Sequence, residues 1–528
     1  MIEAAAELAG LIRTCPNLKL LVTSREVLRV SGEIEYPVPP LARDEAVLLF
    51  CERSALAPAP EISTLCERLD SMPLAVELAA ARTRALSPAQ ILDRLSQRLD
   101  LLKGGRDADP RQQTLRATIE WSYELLYAEE QKLFVRLSVF AGGWTLAAAE
   151  DVCDADLDTL QSLVEKSLVR FAGERYWMFE TIKEFVSEQL AARGESETMC
   201  ERHAEFFTSA AEATHGDWMY GHEVRSPYRW FRTEQANLRD AVGWAGDHVE
   251  LQLRLLHAAR QYGTFSGHER RRLLESALAR ANDQPPVVRA RALVGAGEAS
   301  MDVDDYESAL RYHEQALAIY RSIGDGEGMA RSLVGRGWDL RALGRPADGR
   351  ASFEEALHMA RRAQSAPVIS GASTSLALAS LEDGAFEDAL RLAADADTIG
   401  GASSMLAARI PGLVALERGD LDGAVGLLSE TLATQHEFGY EPSIPFTLDA
   451  LASALTALGH VERAVVLIGY SGALRDSLGF RRDPYVSRLH ERVVETGRSE
   501  LGGGFQAAID RGASMSLDEA IELALGDA

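Results

Sequence analysis

Apolar residues along most of the chain recur with the spacing of amphipathic helices. Leu8, Leu11 and Ile12 lie on one side of a predicted helix from Ile2 to Arg13. Beyond Met199 the same three- and four-residue spacing continues through segments rich in Ala, Leu and Arg. The pattern therefore predicts a mainly α-helical fold.

One segment near the start departs from the helical spacing. Leu18 to Val22 is apolar apart from Lys19, as is typical of a strand covered on both faces in a parallel sheet. A single parallel strand cannot satisfy its own backbone groups, and no comparable strand follows nearby. We therefore expect its partner strands upstream, and an exposed apolar edge where they are lacking.

The next part of the chain predicts a group of short helices. The proline-rich stretch 36–41 indicates an extended linker, and Asp44 is expected to cap the helix that follows. Residues 63–81 carry two helical blocks, which Ser71-Met72-Pro73 separates, and Ser87-Pro88 opens a further helix.

After a Gly- and Asp-rich joint at residues 104–110, residues 112–190 predict several short helices and a small hairpin. The two strands are expected at 168–171 and 175–179, joined through 172–174. Helices that end in a two-stranded wing are typical of a winged helix. Four acidic residues crowd these helices, opposite to the charge of a DNA-reading domain: Glu120, Glu124, Glu129 and Glu130.

The second half of the chain contains an internal repeat. Each unit has a helix, a turn with Gly or Asp, and a small residue early in the next helix. The small residues are Ala309, Gly349, Ala389, Ala424 and Ala464, at steps of 40, 40, 35 and 40. Such helix pairs stack because one pair alone cannot bury both of its apolar faces. The sequence predicts an α-solenoid whose concave face binds a protein or peptide ligand, followed by a cap.

The overall charge of the chain bears on its partners. The 528 residues carry a formal net charge of −25, which argues against direct DNA binding and against docking on anionic lipid. Glu3 and Glu7 stand where a signal peptide needs Lys or Arg, and no apolar run approaches the ~18 residues of a membrane span. The five cysteines show no C-x-x-C spacing. We expect a cytoplasmic protein without membrane contact.

No catalytic or metal-binding motif is evident in the sequence. A phosphate-binding loop ends in a glycine directly followed by Lys, whereas Lys103 precedes Gly104-Gly105 and no other lysine fits the motif. The eleven histidines form no H-E-x-x-H motif, and no G-x-S-x-G elbow occurs. We expect no catalysis by the chain alone, no metal site, and no cofactor in isolation.

Two residues are candidates for contacting a nucleotide. Arg25 directly follows the apolar run, where α/β nucleotide folds place ligand-contacting groups, although a surface arginine is an equal alternative. Pro73 opens a helix and could face an adenine, although an ordinary proline at the first helical position is the simpler interpretation. A downstream aromatic cluster favours core packing over a ligand box: Trp218, Tyr220, Tyr228, Trp230 and Phe231.

Several motifs occur in a characteristic order along the chain. They occupy residues 20–26, 36–41, 72–82, 113–123 and 137–144. In this order they resemble the STAND-class, NB-ARC-like ATPase regulators of bacteria, in which a nucleotide switch accompanies LuxR-type DNA-binding domains. The resemblance extends over nearly the whole chain.

The resemblance implies roles for four residues. Arg25 matches the family's sensor arginine for the γ-phosphate. Pro73 matches the adenine-contacting proline of the G-x-P motif, with Ser71 in place of its glycine. Phe179 and Glu180 fall where relatives carry the His-Asp of a Met-His-Asp motif that holds the diphosphate, and a phenylalanine side chain cannot donate that hydrogen bond.

The resemblance also implies five domains. They are a remnant of an α/β NTPase domain (1–42), a helical ARC-like subdomain (43–108), a winged helix (109–195), a helical linker (196–285), and TPR-like repeats with a cap (286–528). The family's P-loop would precede residue 1, so ATP or ADP is expected only where a P-loop is supplied upstream. A split gene, a mis-called start codon or a degenerate adaptor would each explain its absence.

We interpret the chain as a regulatory, protein-interaction module of a STAND-type signalling and transcription regulator. Its expected partner is a protein or peptide on the concave repeat face, and self-association is left open. Two alternatives stay open. One is an ATP/ADP-dependent switch subunit completed by an upstream P-loop polypeptide. The other is a transcriptional regulator that binds DNA through the winged helix.

Overall fold

The structure of the chain is a computed structural model. It describes residues 5–15, 18–22, 30–31, 33–34, 36, 38–83, 86–95, 115–220, 227–260, 262–399, 402–478 and 484–526. Internal contacts divide the chain into two compact units, Met1–Phe206 and Phe207–Ala528. None of the described helices combines the length and the apolar character that a bilayer crossing requires.

Helices dominate both units, as the sequence predicts. The elements of the first unit are α1 (Ala5–Thr14), α2 (Arg43–Ser54), α3 (Pro60–Arg68), α4 (Pro73–Arg82), α5 (Pro88–Leu95), α6 (Leu115–Glu124), α7 (Ala128–Arg136), α8 (Leu146–Cys153), α9 (Leu157–Glu165), β1 (Arg170–Ala172), β2 (Arg175–Trp177) and α10 (Glu180–Ala192). Helix α11 (Ser196–Tyr220) follows.

The second unit contains α12 (Pro227–Thr233), α13 (Gln235–Trp244), α14 (Val249–Ala258), α15 (Gly267–Leu278), α16 (Pro286–Met301), α17 (Tyr306–Ile323), α18 (Gly326–Ala342), α19 (Pro346–Ala363), α20 (Ala366–Glu382), α21 (Phe386–Ile399), α22 (Ala402–Ala407), α23 (Ile410–Glu417), α24 (Leu421–Glu437), α25 (Ile444–Ala457), α26 (Val461–Leu478), α27 (Pro484–Leu501), α28 (Phe505–Ala513) and α29 (Leu517–Leu525). Short 3₁₀ turns lie at Leu137–Val139, Glu441–Ser443 and Gly502–Gly504.

The segment predicted as a buried strand is not paired in the structure. Leu18–Val22 belongs to no helix or strand, and Leu21 is 97% exposed. The strand prediction is wrong because a strand needs a neighbour for its N–H and C=O groups, and the described residues provide no adjacent strand. The expected exposure of this apolar run is confirmed.

Helices α2–α5 form a small group around one core. Its buried side chains include Phe50, Leu65, Leu69, Val76 and Ile91. Ser87 caps α5 as predicted, because its Oγ accepts the N–H of Gln90 at 3.2 Å. Asp44 does not cap α2 as predicted. Instead, Glu45 accepts the N–H of Ala42 at 2.9 Å, because its longer side chain reaches back to the residue before the helix.

Helices α6–α10 accompany the hairpin that the sequence predicted, with shorter strands. β1 and β2 pair antiparallel through Gly173 and Glu174, whose positive φ angles of 54° and 75° suit a tight two-residue turn. On the opposite edge of β2, Trp144 and Tyr176 exchange two backbone hydrogen bonds of 2.8 Å. Gly143 allows this approach, since a Cβ there would lie 2.8 Å from the Tyr176 carbonyl oxygen.

Glu130 is one of the four acidic residues that crowd this region, and it is buried. Its carboxylate accepts hydrogen bonds from the Lys166 ammonium at 2.6 and 2.7 Å and from the Ser162 hydroxyl at 2.6 Å. It also accepts the N–H of Tyr127 at 2.8 Å. Burial raises the pKa of Glu130, but these hydrogen bonds outweigh burial and leave the pKa below its ordinary value. This acid therefore stabilises the helix packing and is not part of an acidic surface.

The predicted repeats form five helix pairs, each with a first helix (A) and a second helix (B). The pairs are α16–α17, α18–α19, α20–α21, α23–α24 and α25–α26. Each A helix is followed by one residue with positive φ: Asp304, Gly344, Gly384, Gly419 or Gly459. In every turn, the N–H of the residue after this one donates to the carbonyl oxygen five residues before it, at 2.8–3.0 Å. This hydrogen bond closes the C-terminal end of the A helix. The repeat prediction is confirmed.

The small residue of each repeat lies where the A and B helices approach. All five are buried, and the four alanines have no exposed surface. Little room remains at this position: a Cβ on Gly349 would lie 2.6 Å from Arg341 Cγ and 2.7 Å from the Gly337 carbonyl oxygen. The step from Ala389 to Ala424 is 35 residues, against 40 for the other steps. Helix α21 within this step is shorter, with 14 residues against 18 in α19. The fourth A helix is also divided into α22 and α23.

The last helices pack on α26 through two glycines. A Cβ on Gly512 of α28 would lie 2.0 Å from the Val466 carbonyl oxygen, and one on Gly469 would lie 2.4 Å from the Ile509 carbonyl oxygen. Arg463 of α26 donates to the carbonyl groups of Leu523 at 2.9 Å and Ala524 at 3.1 Å, at the end of α29. A cation there is favourable because the helix C-terminus carries partial negative charge.

Replacing Ala389 by Leu should overpack the third helix pair and lower the free energy of unfolding by about 1–3 kcal/mol. Urea unfolding followed by circular dichroism measures the loss. The matched control is Ala394→Leu, which adds the same atoms to an exposed position of the same helix and should change stability by less than about 0.5 kcal/mol. Equal losses in the two variants would contradict the tight packing at the repeat anchors.

Candidate functional site

The residues singled out in the sequence lie in the first unit. Arg25 lies outside the described residues. Pro73 is the exposed first residue of α4. Phe179 is the buried residue immediately before α10, and Glu180 is the exposed first residue of that helix. The structure therefore places Pro73, Phe179 and Glu180 at the N-terminal ends of two helices.

The turn before Pro73 has an uncommon backbone. Asp70 and Ser71 both adopt left-handed conformations, with φ of 54° and 50°, which L-residues other than Gly, Asn and Asp rarely occupy. The carbonyl of Ser71 accepts the N–H of Leu41 at 3.2 Å, so the linker before α2 is attached to this turn. The glycine of the family's G-x-P motif would fit the backbone at position 71 without strain.

Asp70 connects this turn to the start of α10. Its Oδ2 accepts the N–H of Thr181 at 3.3 Å and the hydroxyl of Thr181 at 3.2 Å. The contact joins the α2–α5 group to the α6–α10 group, whose described helices otherwise share little packing with each other. A carboxylate at a helix N-terminus is favoured by the unpaired N–H groups and the partial positive charge there.

The environment of Asp70 alters its titration. Burial raises the pKa of the carboxyl from 3.8 to about 6. The hydrogen bonds from Thr181 and from the backbone of Glu180 oppose this rise, whereas the negative charge of Glu180 adds to it. The protonation state of Asp70 therefore changes between mildly acidic and neutral pH.

The side chain of Phe179 contacts an aromatic ring and a guanidinium group. Its ring meets Trp177 edge-on, with centroids 5.1 Å apart and an angle of 88° between the planes. The guanidinium of Arg170 lies 5.3 Å from the ring centroid, within the range of a cation–π contact. This position packs the start of α10 against the hairpin and offers no hydrogen bond to a phosphate.

The helical repeats place a second set of polar groups in the interior. His313 and Asp339 are fully buried, and Nδ1 of the imidazole lies 2.6 Å from Oδ2 of the carboxylate. The ring lies between two glycines, because a Cβ on Gly297 or Gly335 would come within 2.5 or 2.4 Å of its Nε2. Burial raises the pKa of Asp339, and the hydrogen bond to His313 counteracts part of that rise.

A similar pair lies in the fifth repeat. Arg475 donates to Asp449 at 2.6 Å, and both side chains are buried. Two guanidinium groups flank the ring of Phe446, that of Arg475 at 4.7 Å and that of Arg409 at 4.9 Å from its centroid. In the described part of the chain, no three His, Cys, Asp or Glu side chains are grouped so that they could hold a metal ion.

The sequence reasoning did not single out Asp70 and Thr181. Asp70 stands directly before the Ser71-Met72-Pro73 motif, and Thr181 directly after Phe179-Glu180. Acidic residues are common before a helix, and hydroxyl residues are common in its first turn. Asp70 and Thr181 are therefore distinguished only by their contact in the fold. Neither position carried a signal that periodicity or spacing could reveal.

The chain is similar to a known repeat family and to proteins named as transcriptional regulators. Residues 288–362, the first two helix pairs, match the family model of the tetratricopeptide repeat. A protein of Mycobacterium bovis named "Putative HTH-type transcriptional regulator" is 36% identical over 367 residues, which cover 63% of this chain and 41% of that protein. The chain thus spans about two fifths of the length of this relative. These matches confirm the resemblance to bacterial regulators with TPR-like repeats.

Solved structures show a weaker similarity. The first is a STAND protein with a tetratricopeptide repeat sensor from Pyrococcus horikoshii, at 15% identity and a TM-score of 0.43, covering 89% of this chain and 74% of that one. The second is a Rap protein complexed with competence and sporulation factor, at 12% identity and a TM-score of 0.40, covering 72% and 99%. Both TM-scores are below 0.5.

Replacing Ser71 by Gly should stabilise the turn before α4 by about 0.5–1 kcal/mol, because glycine adopts a positive φ without a Cβ clash. Slower amide hydrogen exchange in α3 and α4 would report this gain. The matched control, Ala81→Gly at an exposed position of α4, should destabilise by about 1 kcal/mol. Destabilisation by both glycines would contradict the strained turn.

The contact between Asp70 and the first turn of α10 is referred to as the junction. Its stability should depend on pH through the ionisation of Asp70. The folded chain binds a proton on Asp70 up to about pH 6, whereas the unfolded chain releases it near 3.8. The contribution of this carboxyl to stability therefore falls as pH rises through that window. Amide exchange at the first turn of α10, corrected for the intrinsic pH dependence, should become faster between pH 4.5 and 7.

Asp70→Asn keeps an acceptor oxygen and removes the charge, so exchange at the start of α10 should lose its pH dependence. Asp70→Ala removes the acceptor and should accelerate exchange at every pH. The matched control is Glu61→Gln, which neutralises an exposed acid of α3 and should leave the wild-type profile unchanged. A wild-type pH profile in Asp70→Asn would show that another group controls the junction.

Proposed function

We propose that the chain is the regulatory and protein-interaction module of a STAND-type transcription regulator, and that it is not catalytic by itself. The observation that carries the proposal is the array of five stacked helix pairs, of which residues 288–362 match the tetratricopeptide repeat. Stacked helix pairs create extended surfaces that bind proteins or peptides. The relatives' names add transcription regulation as the process.

The expected domain division remains part of the proposal. Residues 43–108 would form the ARC-like subdomain and 109–195 the winged helix, and the short helices with a terminal hairpin at 170–177 support the latter. Residues 196–285 would link them to the repeats at 286–528. We assign the ligand to the A-helix side of the repeats, which forms the concave face in solenoids of this type.

Photo-crosslinking in the native host tests this assignment even while the partner is unidentified. Benzoylphenylalanine replaces either Glu417, which ends an A helix, or Glu430, which is exposed on the paired B helix α24. We expect a discrete crosslinked partner from position 417 and none from position 430. Crosslinks from position 430 alone would place the interaction surface on the opposite side of the repeats.

A second candidate function is favoured by the exposed apolar run near the start of the chain. Leu21 is 97% exposed, and Ile34 and Val38 are also exposed, which suits a surface that a further polypeptide covers. In this alternative an upstream P-loop polypeptide adds its strands to Leu18–Val22 and completes an ATP/ADP switch. Arg25 and Pro73 would then contact the nucleotide.

Isothermal titration separates the two candidates. The first predicts no binding of ATP or ADP with Mg²⁺ by the chain alone, because no glycine loop with its lysine surrounds the phosphates. Micromolar binding or unaided ATP turnover would overturn it. The second predicts binding only after addition of the P-loop polypeptide, and loss of that binding in Leu21→Glu. This substitution should not unfold the chain alone, since the side chain is exposed.

A further inference from the structure

Helices α12–α14 contact both ends of the repeat array in the second unit. We refer to residues 227–265, of which all but residue 261 are described, as the clasp. The clasp precedes the repeats in sequence, yet its side chains meet the first A helix, α16, and the fifth repeat, α25–α26. These contacts are of four kinds: an aromatic cluster, a buried guanidinium, an ion pair near the surface, and a backbone approach.

The aromatic cluster joins the clasp to the fifth repeat. Phe231 and Tyr262 stack with centroids 3.8 Å apart and planes 7° from parallel. Tyr228 meets Tyr262 edge-on at 4.9 Å and Tyr440 at 6.5 Å. All four rings are buried. Core packing is therefore the role of Tyr228 and Phe231, as favoured from the sequence. The packing includes Tyr440, which precedes the 3₁₀ turn that leads into α25.

A buried guanidinium joins the clasp to the first repeat. Arg260 is 3% exposed, and its Nε lies 3.3 Å from the carboxylate of Glu298 on α16. Its NH1 lies 3.1 Å from His215 Nε2 and 3.3 Å from His257 Nε2. NH1 also donates to the carbonyl oxygen of His257 at 2.8 Å, so its two hydrogens are shared among three acceptors. Because a guanidinium only donates, the two Nε2 atoms that face it carry no hydrogen, and both imidazoles are neutral.

The protonation of the two histidines agrees with this geometry. Burial and the charge of Arg260 lower the pKa of His215 to about 2, and the same causes lower the pKa of His257 well below its ordinary value. His215 Nδ1 therefore carries the proton and donates to the hydroxyl of Tyr262 at 2.7 Å. An ion pair from Glu298 to Arg260 and the hydrogen bonds of His215 thus connect the first repeat to the aromatic cluster.

The remaining contacts lie at the fifth repeat. Arg232 lies 3.5 Å from the carboxylate of Glu441. Gly263 has a φ of 68°, and a Cβ on it would lie 3.4 Å from the carbonyl oxygen of Leu478 and 3.5 Å from that of Ser477, at the end of α26. The clasp is therefore in direct contact with repeats that lie far from it along the chain.

We propose that the clasp is an autoinhibitory segment that holds the repeat array in a closed state, and that a partner gains access to α16 and to the Tyr440–Glu441 turn when the clasp leaves. The binding of a partner rests on the proposed function. The existence of a closed and an open state of the repeat array does not. A segment that replaces the clasp would offer aromatic side chains for Tyr440 and an arginine for Glu441, as α12 does.

Hydrogen exchange tests the closed state without a partner. Arg232→Glu replaces an exposed side chain and places an acid opposite Glu441, whose side chain is partly buried. Exchange at residues 440–447 should become about two- to fivefold faster, as expected for the loss of an exposed ion pair. Arg232→Glu combined with Glu441→Arg should restore the wild-type rate. The matched control is Arg229→Glu on the exposed side of α12, which should leave the rate unchanged.

A synthetic peptide of residues 227–244 tests displacement directly. Labelled peptide should bind the full chain carrying Tyr228→Ala and Phe231→Ala at least tenfold more tightly than wild type, and adding Tyr440→Ala should abolish the gain. Arg232→Glu serves as a second opened chain should the double variant not fold. Two results would contradict the proposal that the clasp holds the array closed. One is equal peptide binding by the wild type and the opened chains. The other is unchanged hydrogen exchange in Arg232→Glu. Neither result would affect the photo-crosslinking test of partner binding.

Discussion

The close approach of paired helices at small buried residues is the constraint on which the second unit depends. An alanine or glycine in the first turn of each B helix lets its axis come near the preceding A helix, and a left-handed residue with its hydrogen bond reverses the chain just before it. Because every pair repeats this arrangement, each added pair buries the apolar face of the previous one. The spacing of the anchors along the chain thus sets the geometry of the array.

Arginine and acid pairs occupy the interior that this packing creates. Arg475 pairs with Asp449 in the fifth repeat, and Arg260 pairs with Glu298 between the clasp and the first repeat. Buried pairs contribute little net stability because desolvation offsets their attraction, but leaving one partner alone is costly. The arginine–acid pairs therefore favour the one arrangement of the helices in which both partners meet. Other arrangements that bury a similar apolar area would leave a buried charge without its partner. Several arginines of this acidic chain are used inside the fold and do not form a basic surface.

The two departures from the family's motifs lie at the same junction in the first unit. By the resemblance, Ser71 stands where a G-x-P motif has its glycine, and Phe179 stands where a Met-His-Asp motif has its histidine. Between them, the carboxylate of Asp70 binds the first turn of α10 through Thr181. The start of α10 is thus engaged by an acid of the chain itself. The junction joins two helical groups that share little other packing.

The sequence by itself determined the helical fold, the five repeats with their anchors, the hairpin and the starts of α4 and α5. These features depend on local rules, namely apolar periodicity, proline and serine at helix starts, and glycine at turns. The strand at Leu18–Val22 could not be judged this way, because strand formation requires partners that the described chain does not provide. Asp70 with Thr181, and the clasp with Tyr440, became visible only in the tertiary structure. Contacts between residues distant in sequence leave no periodic signal, since each partner is an ordinary residue until the fold brings the two together.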